Sequence, residues 1–446
     1  MTKKKKILLI STAQHYTKGH KGKTTPCAAL GIIAAYTPSS YDVVLINEQN
    51  EGNVYHDDVN LVGFTAMTCQ ITRATEVAKY YRKRGIPTVI GGIHATVRPE
   101  DTYGHFDATV IGEGDLVWKQ ILTDFESGEL KKVYKADKLV DMKEVPPFRH
   151  DLLYKKKTTL SHAIVQTSRG CPYNCDFCSV TNLFGNHYRT RPVENVIEEI
   201  ASLKQNFIFF IDDNIMGNHK YAYSLFERLI PAKKAWVGQS SLELSIKDLT
   251  LLKLAKKSGC KGLFVGIESI TGVNMPGKLG TSDLKKISEK IKILRDHGII
   301  VNTSVIFGFD HDDKYCFERT VEFLIKNRVA LSNFPNLTPY PGSALFARLE
   351  KEGRILHYIW EKYNNHHPTF KLKNLTPEEL VAGGYWSSYH FYNIRNILKR
   401  LPANLRNIFK YLYMNFQYYQ ISKLHKSKAH ISKMPPTMRK ECLEKF

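Results

Sequence analysis

Short apolar runs alternate with segments of helical periodicity along the first part of the chain. Apolar runs of this kind, bounded by Gly, Pro, Asn or Asp, are typical of buried β-strands, and they occur at residues 7–10, 41–48, 60–66, 87–92 and 108–115. A helix is predicted to begin at Pro26, and a second one to end at Gly85. Because strands separated by helices imply βαβ units, residues 1–135 are predicted to form a doubly wound, Rossmann-like parallel sheet.

The same alternation resumes after a segment with paired prolines and mixed charge, residues 136–160, which is predicted to be a linker. Helical segments follow the apolar runs throughout residues 161–350. The predicted strands lie at residues 163–167, 206–214, 235–241, 262–269, 301–309 and 333–343. Six strands predict an α/β fold of the TIM type that is an incomplete (β/α)6 barrel rather than a closed barrel of eight strands.

Residues 351–446 have a different composition, rich in Tyr, Phe, Leu, Lys and Arg. Thr376 and Glu379 form a predicted capping box at the start of a helix. Residues 391–446 contain 12 Lys or Arg against 2 Glu, which is +10 of the chain's net charge of +21. Three hypotheses for this helical, basic region stay open: peripheral contact with an anionic membrane, binding of nucleic acid as the least favoured, or a solvated helix with a disordered tail.

The length of 446 residues suffices for two or three domains with their own cores. No apolar run reaches the 18 or more residues that a membrane span needs. The basic start of the chain is followed by too few apolar residues for a signal peptide, so a first strand is expected there. The 8 cysteines do not form the regular framework of a disulfide-rich protein, and a reduced cytoplasm is the expected compartment.

Three of these cysteines, Cys171, Cys175 and Cys178, lie in the eight-residue stretch CPYNCDFC. Three thiolates leave a tetrahedral zinc or a four-thiolate cluster one ligand short. A cubane iron–sulfur cluster held by three thiolates would keep one iron open for a small chelating molecule. The alternative is a zinc site completed by a distant histidine, His162 or His187.

The spacing CxxxCxxC, with Phe177 before the last cysteine and a predicted strand leading into the loop, resembles the radical S-adenosylmethionine (radical SAM) enzymes. The resemblance implies a 4Fe-4S cluster on the three cysteines, whose open iron binds the amino and carboxylate groups of SAM. One electron then cleaves the sulfonium to a 5′-deoxyadenosyl radical, which requires an electron donor such as ferredoxin or flavodoxin. Phe177 is expected beside the adenine.

Polar residues at the ends of the later predicted strands fit the same resemblance. Asp212 and Asp213 end one strand, where the family binds the amino group of SAM, and Gln239 ends the next. Glu268 and Ser269 resemble the motif that binds the ribose or the amino acid moiety, and Phe307 lies in the segment against which adenine packs. All six are predicted cofactor-binding residues.

Three loops at predicted strand ends of the first domain combine glycines with small hydroxyl residues. Their order resembles the cobalamin-binding domain that precedes many radical SAM domains. The residues expected at the cofactor are Thr65, Thr68, Gly91, Gly92, His94, Gly112 and Glu113. The familiar motif DxHxxG is absent, so the resemblance implies cobalamin without a protein histidine on cobalt, and His94 is expected in the pocket rather than on the metal.

These resemblances predict an enzyme that methylates, or otherwise modifies, an unactivated carbon of a hydrophobic small molecule such as a lipid, an isoprenoid or a tetrapyrrole. Two alternatives stay open. One is a radical SAM methylthiotransferase acting on transfer RNA, although its extra cysteines and RNA-binding barrel are not visible. The other is a non-catalytic cobalamin or iron–sulfur sensor. The enzyme is expected in the cytoplasm, peripheral on the inner face of the membrane, where it can collect a hydrophobic substrate from the bilayer.

Overall fold

The computed structural model describes residues 4–14, 25–53, 55–154, 162–185, 187–271, 284–402 and 408–425. Within these ranges the chain forms two parallel sheets of six strands each and a two-stranded antiparallel ribbon. A helical region follows the second sheet. The predicted fold class is therefore confirmed.

The first sheet has the strand order β2-β1-β3-β4-β5-β6 and is covered by helices on both faces. Its strands are Lys6–Ser11 (β1), Asp42–Asn47 (β2), Leu61–Thr65 (β3), Thr88–Gly91 (β4), Ala108–Ile111 (β5) and Val133–Lys135 (β6). Its helices are Ala28–Ala35 (α1), Glu48–Glu51 (α2), Ile71–Arg82 (α3), Ile93–Val97 (α4) and Trp118–Ser127 (α5), with short 3₁₀ turns at Thr68–Gln70, Pro99–Asp101 and Gly114–Leu116.

The differences from the sequence-based expectation in this domain include the start of α1 and an additional strand. Cys27 is the N-cap of α1, so Pro26 lies just outside the helix rather than in its first turn. Strand β6 was not predicted, because only Tyr134 of its three residues is buried and so short a segment carries no alternation.

The linker contributes to the core between the two domains. It contains a 3₁₀ turn at Met142–Glu144 and the short helix α6 (His150–Leu153). Met142 and Phe148 share a buried cluster with Ile32 of the first domain and with Ile164, which lies on the first strand of the second sheet. The linker therefore covers one side of the barrel that six strands leave open.

The second sheet has the order β14-β13-β12-β11-β10-β7, and β8 pairs with β9 in the ribbon. The strands are His162–Val165 (β7), Ser168–Arg169 (β8), Arg189–Thr190 (β9), Phe207–Phe210 (β10), Ala235–Ser241 (β11), Cys260–Glu268 (β12), Ile300–Val305 (β13) and Leu331–Asn333 (β14). The helices are Val180–Phe184 (α7), Val193–Ser202 (α8), His219–Leu229 (α9), Leu242–Lys247 (α10), Leu249–Lys257 (α11), Leu284–Asp296 (α12), Cys316–Lys326 (α13) and Ala344–Lys351 (α14), with 3₁₀ turns at Ile230–Ala232 and Trp360–Lys362.

Burial alternates along the long strands of this sheet. In β11, Trp236 is buried and stacks on Phe226 of α9 with ring centroids 5.1 Å apart, whereas its neighbour Val237 is only half-buried. Successive side chains of a strand point to opposite faces. The buried set therefore faces the helices, and the half-buried set lines the interior of the barrel. The last strand, β14, ends at Asn333, so residues 334–343 form a loop rather than the predicted strand.

The C-terminal region is docked on the edge strand β14. Its helices are Pro377–Phe391 (α15), Ile394–Lys399 (α16) and Ile408–His425 (α17), and the predicted capping box of Thr376 and Glu379 is confirmed. The hydroxyl of Tyr392 accepts from the amide of Ser332 and donates to its carbonyl, at 2.9 and 2.8 Å. This contact blocks an exposed sheet edge.

A buried arginine fixes the same region. Arg400 donates to the carbonyl oxygens of Val329, Ala330 and Phe391 at 2.7 to 2.8 Å. The predicted tail beyond residue 425 lies outside the described residues. No helix in the described part of the chain combines the length and the apolarity needed to cross a bilayer.

Candidate active site

The cysteine loop leaves the second sheet at the carboxyl end of β7. Gly170 precedes the first cysteine with φ of +90°, and a Cβ there would lie 2.5 Å from the carbonyl oxygen of His187, so only glycine fits. The three thiols are all partly exposed, and the amide of Cys178 donates to the carbonyl of Cys175 at 3.0 Å. The loop thus presents three sulfur ligands at the mouth of the barrel.

The three thiols influence one another electrostatically. Burial, reinforced by the proximity of Cys175, Asp213 and Cys171, raises the pKa of Cys178 to about 11. Iron would supply the positive charge that such a cluster of thiolates requires. Among the described residues, no three His, Cys, Asp or Glu side chains converge around a single ion. In a cubane cluster each thiolate binds a different iron, so the three sulfur ligands lie farther apart than the ligands of a single metal ion.

The histidines of the zinc hypothesis occupy other places. His162 begins β7, at the opposite end of that strand from the loop, and packs edge-on to Phe209 with ring centroids 6.4 Å apart. His187 faces the loop with its backbone carbonyl, and its side chain is exposed.

The side chains of the two aspartates that follow β10 point to different sides of the sheet. Asp212 is fully buried, and its Oδ1 accepts hydrogen bonds from the amides and hydroxyls of Thr167 and Ser168. It therefore ties β10 to the segment that leads into the cysteine loop. Asp213 is on the interior side, where burial and the charge of Asp212 raise its pKa to about 6. Of the pair, Asp213 is the one placed to meet a bound cation.

Gln239 and Glu268 are half-buried and lie on the interior side of β11 and β12. Glu268 has φ of +65°, and the strand register shifts between Gly266 and Glu268. A positive φ is uncommon for a residue other than glycine and is often found at functional sites. Ser269 is buried, and its hydroxyl lies 3.1 Å from Nε2 of His311, a residue that the sequence did not single out.

The structure places Phe307 away from this interior. It is buried in a cluster with Phe317 and with Leu380 of α15. Its neighbours Ile306 and Phe309 instead share a cluster with Phe177, whose ring centroid is 6.1 Å from that of Phe309. Ile306 and Phe309 therefore belong to the apolar cluster of Phe177, and Phe307 does not.

The interior also contains a polar residue that sequence reasoning missed. Asn302 lies on the half-buried side of β13, and its Oδ1 is buried without a hydrogen-bond partner among the described residues. A buried polar atom of this kind usually has a partner. With Asp213, Gln239 and Glu268, it gives the barrel interior the donors and acceptors that an amino acid and a ribose require.

A cavity of about 360 Å³ lies between the carboxyl end of the first sheet and the carboxyl end of β7 in the second. Of the predicted cobalamin residues, it is lined by Thr65, Gly91, Gly92, Gly112 and Glu113. From the second domain, Gln166, Arg169 and Phe184 complete its wall. The cavity therefore places a ligand of the first sheet beside the cysteine loop.

The lining of the cavity suits one part of cobalamin, because about 360 Å³ is less than the volume of the whole cofactor. Its deeper part runs along the sheet between Leu9, Val89 and Trp118, and a Cβ on Gly63 would lie 2.7 Å from Cδ2 of Leu9. At the rim, Gly92 has φ of +97°, and a Cβ there would lie 2.8 Å from Oγ1 of Thr65. An apolar slot behind a glycine-lined rim suits a flat aromatic group of the cofactor.

Two of the predicted cobalamin residues lie outside this lining. Thr68 is buried in the turn Thr68–Gln70. His94 is fully buried, with Nε2 at 3.2 Å from Asp101 and its ring edge-on to Trp360 at 5.5 Å between centroids. Burial lowers the pKa of His94 to about 4 although Asp101 opposes this effect, so the ring is neutral at physiological pH.

The carboxylate of Glu113 is paired with other side chains of the protein. Its carboxylate accepts from Arg169 at 2.9 Å and from Arg189 at 3.0 Å, and Asp115 accepts from the other side of the Arg169 guanidinium at 2.9 Å. Burial raises the pKa of Glu113, but the hydrogen bonds from Arg189 and Arg169 outweigh it and hold this pKa below its usual value. The four side chains join the first domain to β8 and β9, the two ribbon strands that precede and follow the cysteine loop.

Two family models match the chain: the B12 binding domain over residues 24–122 and the Radical SAM superfamily over residues 165–324. An uncharacterized methyltransferase of Pyrococcus horikoshii, PH0819, is 30% identical over 423 residues, covering 86% of this chain and 92% of the relative. The chain belongs to the radical SAM superfamily. It is of the type that also carries a B12-binding domain.

Further comparisons agree with this assignment. The bacteriochlorophyllide d C-12(1)-methyltransferase of Chlorobaculum tepidum is 27% identical to this radical SAM enzyme over 419 residues, with 91% of each chain covered. The cobalamin-dependent SAM radical enzyme OxsB, solved with aqua-cobalamin and SAM, shares the fold with a TM-score of 0.70 over 94% of this chain and 72% of the other, at 14% identity.

Membership gives this enzyme its three cofactors: a 4Fe-4S cluster, SAM and cobalamin. The comparisons support the predicted carbon-modifying enzyme and give no support to the two alternatives, the transfer RNA methylthiotransferase and the non-catalytic sensor.

Proposed function

We propose that this radical SAM enzyme transfers a methyl group to an unactivated carbon of a hydrophobic ring compound, with a tetrapyrrole as the first candidate. The observation that carries the proposal is the shared cavity: residues of the cobalamin sheet and of the cysteine-loop domain line the same space. The similar enzyme from Chlorobaculum tepidum is named for a methyl transfer to a bacteriochlorophyllide. When bound, the cluster supplies an electron to SAM, and cobalamin supplies a methyl group.

Each domain has residues with a defined part in this function. Cys171, Cys175 and Cys178 would hold the cluster, and Gly170 allows the loop to turn tightly before them. Asp213 on the interior side would orient the amino group of SAM, because a carboxylate favours an ammonium partner. Ile306 and Phe309 would flank the adenine beside Phe177, in place of the predicted Phe307.

The cavity on the other side has the task of positioning. Gly92 and Gly112 keep the rim open, while Trp118 and Leu9 would receive the apolar part of cobalamin. The buried pairs of Arg169 with Glu113 and Asp115 fix the distance between the two cofactor sites. Such fixation matters because a misplacement of about 1 Å can cost on the order of a hundredfold in rate.

The test is an anaerobic reaction of protein reconstituted with iron, sulfide and cobalamin. It receives SAM, a reductant and a bacteriochlorophyllide that has an unmethylated side chain. Methyl transfer yields 5′-deoxyadenosine, S-adenosylhomocysteine and a methylated pigment, all measured by liquid chromatography with mass spectrometry. Formation of 5′-deoxyadenosine and a modified pigment without S-adenosylhomocysteine would instead indicate cyclisation or rearrangement and refute methyl transfer.

Two finer proposals complete this function. The electron donor is a small redox protein such as a ferredoxin or a flavodoxin, which would dock near the exposed tip of the cysteine loop at Pro172 and Asn174. Replacement of the chemical reductant by reduced flavodoxin should sustain SAM cleavage. The enzyme is cytoplasmic and peripheral on the inner face of the membrane, held there by its basic C-terminal region.

A further inference from the structure

Helix α17 has an unusual distribution of side chains. On its buried side, Asn415 and Ser422 are 0% and 1% exposed. On its outer side, Phe409, Tyr413 and Phe416 are 82%, 67% and 56% exposed. A helix on the surface of a water-soluble protein normally shows the opposite arrangement, with apolar residues inside. The outer face of α17 is therefore suited to an apolar neighbour.

The polar residues on the inner side are satisfied by the protein. Asn415 donates to the carbonyl of Ala330 at 3.3 Å, and Arg400 donates to Oδ1 of Asn415 at 3.3 Å. Tyr411, also buried, donates to the carbonyl of Ile397 at 2.8 Å. These contacts hold α17 in this rotation, so its apolar side chains stay directed outward.

The neighbouring helix α16 extends the apolar surface. Ile394 and Leu398 are 58% and 55% exposed, and with Leu412, Tyr413, Phe416 and Tyr419 they line a shallow groove of about 380 Å³. We define the apolar C-terminal face by Ile394, Leu398, Phe409, Tyr413 and Phe416. A contiguous apolar surface of this kind usually marks an interaction site.

Positive charges surround this face. Arg395 and Lys399 are exposed on α16, and Lys423 is exposed on α17, where its Nζ lies 4.5 Å from the ring centroid of Tyr419. Residues 391–446 together contain 12 Lys or Arg and 2 Glu. A second copy of the chain would bring two such sets of cations together, which opposes self-association.

We infer that the apolar C-terminal face binds an anionic phospholipid surface, with its aromatic and aliphatic side chains at the boundary between headgroups and acyl chains and the lysines and arginines at the headgroups. A bilayer offers both partners that the face requires, an apolar layer and negative charge above it. Tyr and Phe side chains at such a boundary agree with the usual composition of interfacial helices. The inference specifies the membrane contact proposed above and is independent of the reaction catalysed.

The test measures flotation of the full-length, cofactor-loaded protein with vesicles of phosphatidylcholine, with or without phosphatidylglycerol. The wild type should bind the anionic vesicles, and the double variant Phe409→Ser, Phe416→Ser should bind at least about tenfold more weakly because two exposed rings no longer enter the lipid. Arg395→Glu with Lys399→Glu should abolish the preference for anionic vesicles and reduce the salt dependence. SAM cleavage without vesicles should stay unchanged in all variants, which shows that they fold.

The matched control is Tyr103→Ser with Leu249→Ser, which removes two side chains that are 49% and 45% exposed, one in the first domain and one at the start of α11. It should bind vesicles like the wild type. The inference is overturned if the wild type ignores anionic vesicles, or if the Phe409, Phe416 variant binds as well as the control. It is also overturned if light scattering shows that the wild type is a dimer and that only the Phe409, Phe416 variant is a monomer, because the face would then bind a second copy of the chain. Failure of SAM cleavage in the wild type would count against the proposed function and leave vesicle binding as an independent result.

Discussion

The carboxyl ends of the two parallel sheets lead into one region of the molecule, yet they carry different kinds of side chain. The first sheet ends in glycines and small residues, such as Gly92 and Gly112, and its cavity has an apolar slot behind the rim. The second ends in three thiols and in inward-facing polar groups such as Asp213 and Glu268. One edge is shaped to fit a bulky ligand, while the other provides ligation and charge.

This difference teaches how two cofactors can share one space. The glycines and apolar side chains of the cobalamin edge carry no charge. They therefore do not perturb the charged groups of the cluster edge, although the region has a low dielectric constant. The ionic groups between the edges, Arg169 with Glu113 and Asp115, are mutually paired and buried. They act as a fixed joint between the two sites.

The largest effect is expected at the ligating edge. Cys175→Ala removes one of three thiolates, so the cluster and SAM cleavage should be lost together while cobalamin still binds. Iron content, the absorption spectrum of the anaerobic protein and 5′-deoxyadenosine formation measure the three properties. Cys260→Ala, at a buried thiol at the start of β12, should retain all of them. SAM cleavage by the Cys175 variant would remove the assignment of the loop.

The joint between the edges gives the next largest effect. Arg169→Met leaves Glu113 and Asp115 buried with fewer partners, and it should lower the free energy of unfolding by about 3 to 5 kcal/mol in urea. Arg82→Met removes a partly exposed pair with Asp107 and should cost less than about 1 kcal/mol.

A further variant separates loss of a charge from loss of a contact. Arg169→Met combined with Glu113→Gln and Asp115→Asn neutralises the stranded carboxylates and should be more stable than Arg169→Met alone. If Arg169→Met, Arg82→Met and the triple variant all unfold at the same urea concentration as the wild type, the pairs of Arg169 with Glu113 and Asp115 do not stabilise the fold.

The sequence predicted those parts of both edges that depend on local pattern. The cysteine spacing lies within eight residues, and the glycine loops directly follow their strands. It did not show which member of a neighbouring pair faces the interior. The run NFIFFIDD before and at the two aspartates is apolar on both sides of the strand, so no alternation distinguishes Asp212 from Asp213. The same holds for Ile306 and Phe307 after β13.

Contacts between distant segments were also beyond prediction. Glu113 and Arg169 are 56 residues apart in different domains, and a charged residue in a loop does not indicate its partner. The rotation of α17 follows from Arg400 and Asn415, two polar residues that a sequence pattern assigns to the solvent side. Burial of a polar residue depends on the carbonyl groups that meet it, and these become known only in the folded chain.

A smaller effect is expected from the shaped edge. Gly92→Ala places a Cβ 2.8 Å from Oγ1 of Thr65 and 3.0 Å from the backbone of Ala66, so the rim must shift and cobalamin affinity should fall by about tenfold or more. Gly52→Ala is the matched control, because Gly52 has a similar backbone conformation with nothing within 4 Å of the added Cβ. Titration followed by cobalamin absorption measures both, and equal affinities would show that the rim does not contact the cofactor.

An effect of similar size, confined to acid pH, tests whether the first domain avoids charge next to its shaped edge. Burial lowers the pKa of His94 to about 4, below the value of about 6.5 in an unfolded chain. Between these values the unfolded chain binds a proton that the folded one does not, so stability falls as the pH is lowered, by about 2 kcal/mol at pH 5. Urea unfolding at pH 7 and pH 5 should show this loss in the wild type and in His105→Gln, which changes an exposed histidine. It should be largely absent in His94→Gln; an equal loss in that variant would mean that His94 is charged in the folded protein and that the edge is not neutral.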